Sequence, residues 1–407
     1  MRYNLEMQRT TQAPGGRTSL GIRIGLALGT PLLAVLLAEG AARLYLGDEL
    51  LNGLPVGQPL EACAAYDPDL GWVNKPGVRT RVEAPKFSYR VEINDQGLRD
   101  RQHSYAKPEG VFRIVLLGDS LAYGWGVDNG LAFADLVERD LGPGVEVINL
   151  GVPGYSTDQE LWMLQREGQR YAPDLVLECF ILNDVVGNGE WESGELRKPS
   201  YAKGPGGEWV LEHHPAPEIE TARRASFSEW LWTHSGCMQL LRPADSTAQL
   251  EKSGRAVLGR RAPTGAQLSA HASEEADVRA LAAEIADPAS VTFMLLARLK
   301  ETCDELRAPL IAFGIPHHHD RYLYSPTYPL PPLPEGEFST VLTDGLAEAG
   351  RALGFRTFSV DQAMLDETQA GYGLSCGDGH LNERGNEVVA RRIVEVVRPL
   401  IPARQAR

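Results

Sequence analysis

FRIVLLGDSLAYGWGV, residues 112 to 127, places five apolar residues (Phe112 and Ile114 to Leu117) in its first six positions. So dense an apolar run predicts a strand buried on both faces. It breaks at Gly118-Asp119-Ser120-Leu121, and Gly124 and Gly126 make the continuation too glycine-rich to extend a sheet. A serine at the break between a buried strand and a tight turn puts its hydroxyl at the carboxyl edge of the sheet, where open α/β folds bind ligands. The plain alternative is a serine that caps the next helix.

Downstream, the pattern alternates strand and helix. Strands are predicted at Val145 to Leu150, Leu175 to Leu182, Pro309 to Ile315 and Phe355 to Val360. Helices are predicted around Phe133 to Leu141, from Ser156–Thr157 to Gly168, over Val291 to Leu306, over Val341 to Leu353, and after Asn382 to Leu400. With the first strand this makes a five-stranded parallel sheet covered on both sides, an α/β fold.

The 407 residues carry 43% apolar and 23% charged side chains, an ordinary globular composition. A net charge of −14 argues against a nucleic-acid surface, which needs clustered Lys and Arg. Five cysteines without metal-ligand spacing predict no metal site. Cys179 and Cys303 lie in apolar segments, and one disulfide among Cys63, Cys237 and Cys376 stays open. The run His317 to His319 points alternate side chains to opposite faces and makes a poor ligand set. No cofactor is expected.

Residues 1–46 read as a basic tail and a signal-anchor helix. The uncharged run Ile24 to Ala38 follows four arginines. It is about 22 Å long as helix, short of a hydrocarbon core of about 30 Å, and continuing to Leu46 would supply the length. A cleaved signal peptide and a buried soluble helix are the alternatives. The anchor reading puts the remainder outside the cytoplasm, in the periplasm or at the cell surface, with the membrane contacted through this helix. Protein partners are not specified. Residues 47–110, rich in turn signals, predict a small β-rich extension with a hairpin at Val78 to Val82 and Phe87 to Ile93, packed on the sheet without chemistry of its own. The main domain, 111–407, is interrupted at about 187–290, too long for an ordinary connection. Trp191, Trp209, Trp230 and Trp232 fall in this insertion. They either pack it onto the body or present faces to sugar rings or an acyl chain.

Three further features end at the same sheet edge: the turn Asn149 to Gly154, the pair Asn183–Asp184, and the loop Cys376-Gly377-Asp378-Gly379-His380 before the last helix. Acyl transfer needs this assembly. Ser120 is the nucleophile, His380 takes its proton, and Asp378 orients the imidazole. The N–H groups of Ser120 and Gly154 and the side-chain amide of Asn183 would serve the oxyanion. Simpler roles are a turn glycine, a strand-end cap and a helix-entry histidine.

On these residues the chain resembles the GDSL or SGNH hydrolases. Gly118-Asp119-Ser120-Leu121 is the literal signature, and Gly154, Asn183 and the Asp378/His380 pair fall on the remaining blocks. The resemblance covers about residues 112 to 187 and 291 to 401. It implies a three-layer, flavodoxin-like fold and a catalytic serine, and the extension looks like that of membrane-anchored bacterial members. Leu182 stands where many members have glycine. The Asp-x-His spacing is similar to that of the branch handling O-acetyl groups on polysaccharides. The expectation is therefore a serine ester hydrolase or O-acyl transferase acting on an extracytoplasmic ester, with O-acetylated carbohydrate as the substrate class. The alternatives are a catalytically silent glycan-binding module and a lipase or thioesterase.

Overall fold

The computed structural model describes residues 29–31, 33–41, 63–83, 87–193, 196–218, 282–315, 341–376 and 379–402. The extension forms two antiparallel hairpins, β1 (Ala64–Asp67) with β2 (Gly71–Asn74) and β3 (Arg79–Glu83) with β4 (Ser88–Glu92). The second is the expected one. Next come β5 (Phe112–Leu117), the one-turn helix α1 (Ser120–Tyr123), α2 (Phe133–Leu141), β6 (Val145–Asn149), α3 (Thr157–Arg166), β7 (Leu175–Phe180) and α4 (Leu182–Gly187). The insertion contributes two short hairpins, β8 (Glu192–Ser193) with β9 (Leu196–Arg197) and β10 (Ser200–Lys203) with β11 (Trp209–Glu212). The chain continues with α5 (Val291–Leu306), β12 (Leu310–Gly314), α6 (Val341–Leu353), β13 (Arg356–Ser359), α7 (Asp361–Gln369) and α8 (Glu383–Val397).

The central sheet is parallel, with spatial order β13-β12-β7-β5-β6. Counted along the chain this is the doubly wound order 2-1-3-4-5, which reverses direction between its first and third strands. Those are β5 and β7, so the crevice opens where Ser120 and Asn183 leave the sheet. β5 and β7 are buried at every position, as unbroken apolar runs require. Alternate residues feed two cores. Val115, Leu117, Val176 and Phe180 pack with α3, α5 and α6. Ile114, Leu116, Leu175 and Leu177 pack with α2, α7 and α8.

Several boundaries differ from expectation by one or two residues. β7 ends at Phe180 instead of Leu182, because the Asp184 carboxylate accepts from the Ile181 N–H (2.7 Å) and starts a helix inside the apolar run. β6 ends at Asn149 and β13 at Ser359, and α7 follows directly. The hairpin β1–β2 and those of the insertion were not expected. Cys63, Cys179, Cys303 and Cys376 stand as thiols, and Cys237 lies outside the described residues.

Of the insertion's tryptophans, Trp191 stacks on His213 (centroids 4.7 Å apart, 23° between planes), and Trp209 packs with Trp162 at the edge of the core. Both are partly exposed, and Trp230 and Trp232 lie outside the described residues. So do the histidine run 317–319 and most of the anchor stretch. Residues 29–31 and 33–41 are helical with Leu33, Val35, Leu36 and Leu37 exposed, and no helix among the described residues is long and apolar enough to cross a membrane.

Candidate active site

The nucleophile turn is made by local crowding. Gly118 adopts φ +147°, and a Cβ there would stand 2.7 Å from that of Ala122 and 3.0 Å from that of Cys179. Only glycine lets the chain leave β5 so tightly. Asp119 then caps α1, its Oδ1 accepting from the Leu121 N–H (2.9 Å). Ser120 is the first helical residue and half-buried. From the far end of the chain, a Ser375–Leu381 bridge and the Cys376 N–H to His380 carbonyl bond (2.9 Å) bring His380 to the crevice. His380 Nε2 thereby lies 2.9 Å from Ser120 Oγ. Two residues separated by most of the domain meet at hydrogen-bond distance, and the imidazole can accept the hydroxyl proton.

Asn183, on the first turn of α4, directs its amide at the same place. Nδ2 donates to Asp119 Oδ2 (2.7 Å), and the Ser120 hydroxyl lies 3.1 Å from that same oxygen. One amide hydrogen is spent there and the second is available to an oxyanion. Sequence reasoning missed Asp119, which binds the Ser120 hydroxyl and the Asn183 amide into one unit. The Ser120 hydroxyl has a single proton to give. Donation to Nε2 prepares attack, and donation to Asp119 is the resting alternative when Nε2 itself carries a proton.

Gly154 sits at φ +81° in a turn closed by the Tyr155 N–H to Val152 carbonyl bond (3.2 Å). Its loop is locked onto α1. Asn149 Nδ2 donates to the Ala122 carbonyl (2.8 Å), and Gly151 lies so close that a Cβ would be 2.4 Å from the Tyr123 nitrogen. Asp378 lies outside the described residues. The structure thus brings Ser120, Asn183 and His380 together and docks the Gly154 loop beside them.

Beside Asp119 lies an acid cluster that no sequence motif announces. Glu178 of β7, Glu160 of α3 and Asp184 of α4 are all essentially inaccessible. Burial, and then repulsion from neighbouring acids, pushes the Glu160 and Asp184 carboxyls well up. Burial also raises Glu178, to about 7. Among the described residues no donor reaches either Glu160 or Glu178. The two carboxyls are neighbours, and one can donate to the other only while it keeps its proton. The available signal was an acid inside the apolar run LVLECF.

A family model described as GDSL-like Lipase/Acylhydrolase matches residues 116–388, about two thirds of the chain. The chain belongs to the GDSL-like lipase/acylhydrolase family. Among solved structures of similar fold, the lipase/acylhydrolase of Enterococcus faecalis is 18% identical, covering 72% of this chain and 98% of its own, with a TM-score of 0.34. A lipolytic G-D-S-L family protein of Veillonella parvula is 11% identical, covering 70% and 98%, with a TM-score of 0.36. No curated protein matches the chain in sequence. As a GDSL-family member the protein is a hydrolase, and the chemistry of its particular site rests on the residues above.

Proposed function

We propose that the protein is a serine-dependent ester hydrolase or O-acyl transferase, tethered to a membrane by its N-terminal segment and acting outside the cytoplasm on an O-acetylated carbohydrate. The 2.9 Å contact between Ser120 Oγ and His380 Nε2 carries the chemical part. Ser120 attacks the ester carbonyl while its proton passes to Nε2. The negative charge on the carbonyl oxygen is met by the Ser120 N–H, the free hydrogen of the Asn183 amide and the Gly154 N–H. The imidazolium then protonates the departing alkoxide, leaving an acyl-serine for water or a sugar hydroxyl. Asp378, two residues before the base, takes the part of the acid that steadies the imidazolium. The carbohydrate acetyl ester is favoured by the Asp378-x-His380 spacing, and the tether by the apolar run at Ile24 to Ala38 behind a basic tail.

Labelling the full chain with a fluorophosphonate and mapping the adduct by mass spectrometry tests the assignment. The expected product is one adduct, on Ser120, formed at least about 100-fold more slowly in His380→Ala. An adduct on another serine, or equal labelling of both forms, would sink the mechanism.

A further inference from the structure

The N-terminal extension reaches the catalytic pair through two side chains. Arg99, which follows β4 in the segment INDQGLRD, is only 3% exposed. All five of its N–H donors are spent. Nη1 serves the carbonyl oxygens of Tyr123 (2.8 Å) and Gly124 (2.5 Å). Nη2 serves those of Arg90 (3.0 Å) and Val127 (2.5 Å), and Nε reaches Asn129 Oδ1 (3.3 Å). Three of these carbonyls belong to the chain just after Ser120. The fit is close: Gly124 has φ +85°, and a Cβ there would meet Nη1 at 2.7 Å. The planar fork grips a loop that otherwise lacks regular structure.

That loop turns back on the nucleophile, because the Trp125 N–H donates to the Ser120 carbonyl (3.0 Å). The Trp125 indole stacks on the His380 imidazole, with centroids 5.3 Å apart and 30° between planes. It also packs on Tyr89 of β4 at 5.9 Å, and Tyr89 stacks in turn on Phe87 at 6.0 Å. A contiguous path therefore runs from the extension's hairpin through Tyr89 and Trp125 to His380, while Arg99 fixes the backbone that carries Trp125.

We propose that Arg99, Tyr89 and Trp125 are positioning residues, through which the extension holds the His380 imidazole in line with Ser120. The proposal rests on reading that pair as base and nucleophile. A histidine ring turns about two side-chain torsions, and the second is broad. A wall against its face removes that freedom, and misplacing a reacting group by about 1 Å can cost about 100-fold in rate. The extension, expected to be a passive preface, thereby belongs to the working machinery.

Four forms of the full chain decide this: wild type, Trp125→Leu, Trp125→Phe and Arg99→Lys. Each is measured for p-nitrophenyl acetate turnover and for the His380 ring-proton shifts in NMR. Trp125→Leu is expected to lower kcat about 30-fold with KM within about twofold, and Trp125→Phe, which restores an aromatic face, to recover to within about fivefold. Arg99→Lys keeps the charge but loses the fork, and is expected to lower kcat about tenfold. The His380 signals should lose their ring-current displacement in Trp125→Leu and shift part of the way in Arg99→Lys. A folded Arg99→Lys with wild-type kcat and unmoved His380 signals overturns the proposal. So does a Trp125→Leu that changes KM alone. Should the wild type hydrolyse nothing, the reading of Ser120 as nucleophile fails, and the NMR shifts still accept or reject the wall.

Discussion

Replacing Glu178 with glutamine removes one buried charge while keeping shape, and the structure says how the result depends on pH. Glu178 lies in the central strand β7, registered between Leu117 of β5 and Ala312 of β12, and is inaccessible to solvent. Its carboxyl is pushed up to about 7 from an unfolded value near 4.5, by burial first and by the Asp119 carboxylate against it, with the Glu160 carboxyl pulling the other way. The folded chain therefore holds a proton that the unfolded chain has already lost between these two values. Stability is full below about pH 4.5 and falls as pH rises to about 7, by on the order of 3 kcal/mol, and is then level. In a domain of this size that amounts to roughly 4–8 °C in Tm. Glu178→Gln should melt within about 1 °C of wild type at pH 5 and roughly 4–8 °C higher at pH 8, its amide able to donate to Glu160. Differential scanning calorimetry at several pH values cancels the titrating groups that do not touch Glu178, and the difference reports Glu178 together with its neighbours Glu160 and Asp184. A variant that melts below wild type at pH 8, or a gap that does not widen between pH 5 and pH 8, refutes the claim that this carboxyl is buried at an electrostatic cost.

Two further outcomes follow from named contacts. Asn183→Ala should lower kcat for p-nitrophenyl acetate by about 100- to 1000-fold with little change in KM, since the amide matters most when the oxyanion forms; an equal loss in KM alone would remove Asn183 from that role. The Lys198 ammonium is buried with the Asp158 carboxylate at 2.6 and 2.5 Å, so Lys198→Met should cost about 3–5 kcal/mol in urea unfolding, and adding Asp158→Leu should return most of it; a double variant no better than the single one contradicts this.

The parts of this molecule that were legible in its sequence are those whose physics is local. An unbroken apolar run ending in Gly-Asp-Ser gives a buried strand and a tight turn whatever surrounds it, and the turn Asn149 to Gly154 likewise follows directly on β6. That His380 would close on Ser120 needed only the doubly wound path, which carries every strand's carboxyl end to one edge. What stayed hidden depends on partners far away in the chain. The shortened β7 came from a carboxylate three residues ahead outcompeting the sheet for the Ile181 N–H. The polar helix α7, DQAMLDETQ, has too weak an apolar periodicity to stand out.

Asp119 shows how a residue inside a recognised signature can still carry an unread role. Read locally, it is a helix cap, and it does cap α1. Its second oxygen, however, takes the Asn183 amide and lies within reach of the Ser120 hydroxyl, so a single carboxylate ties the Ser120 side chain to an amide of α4. Such a carboxylate must be buried to be rigid, and it is 1% exposed. Burying it next to Glu178, Glu160 and Asp184 makes a second negative charge nearby expensive. Burial first, and then repulsion from neighbouring acids with Asp119 among them, displaces those three carboxyls upward. The acid cluster beside Asp119 is thereby linked through that residue to Ser120 and Asn183, and its protons are lost on the side of high pH.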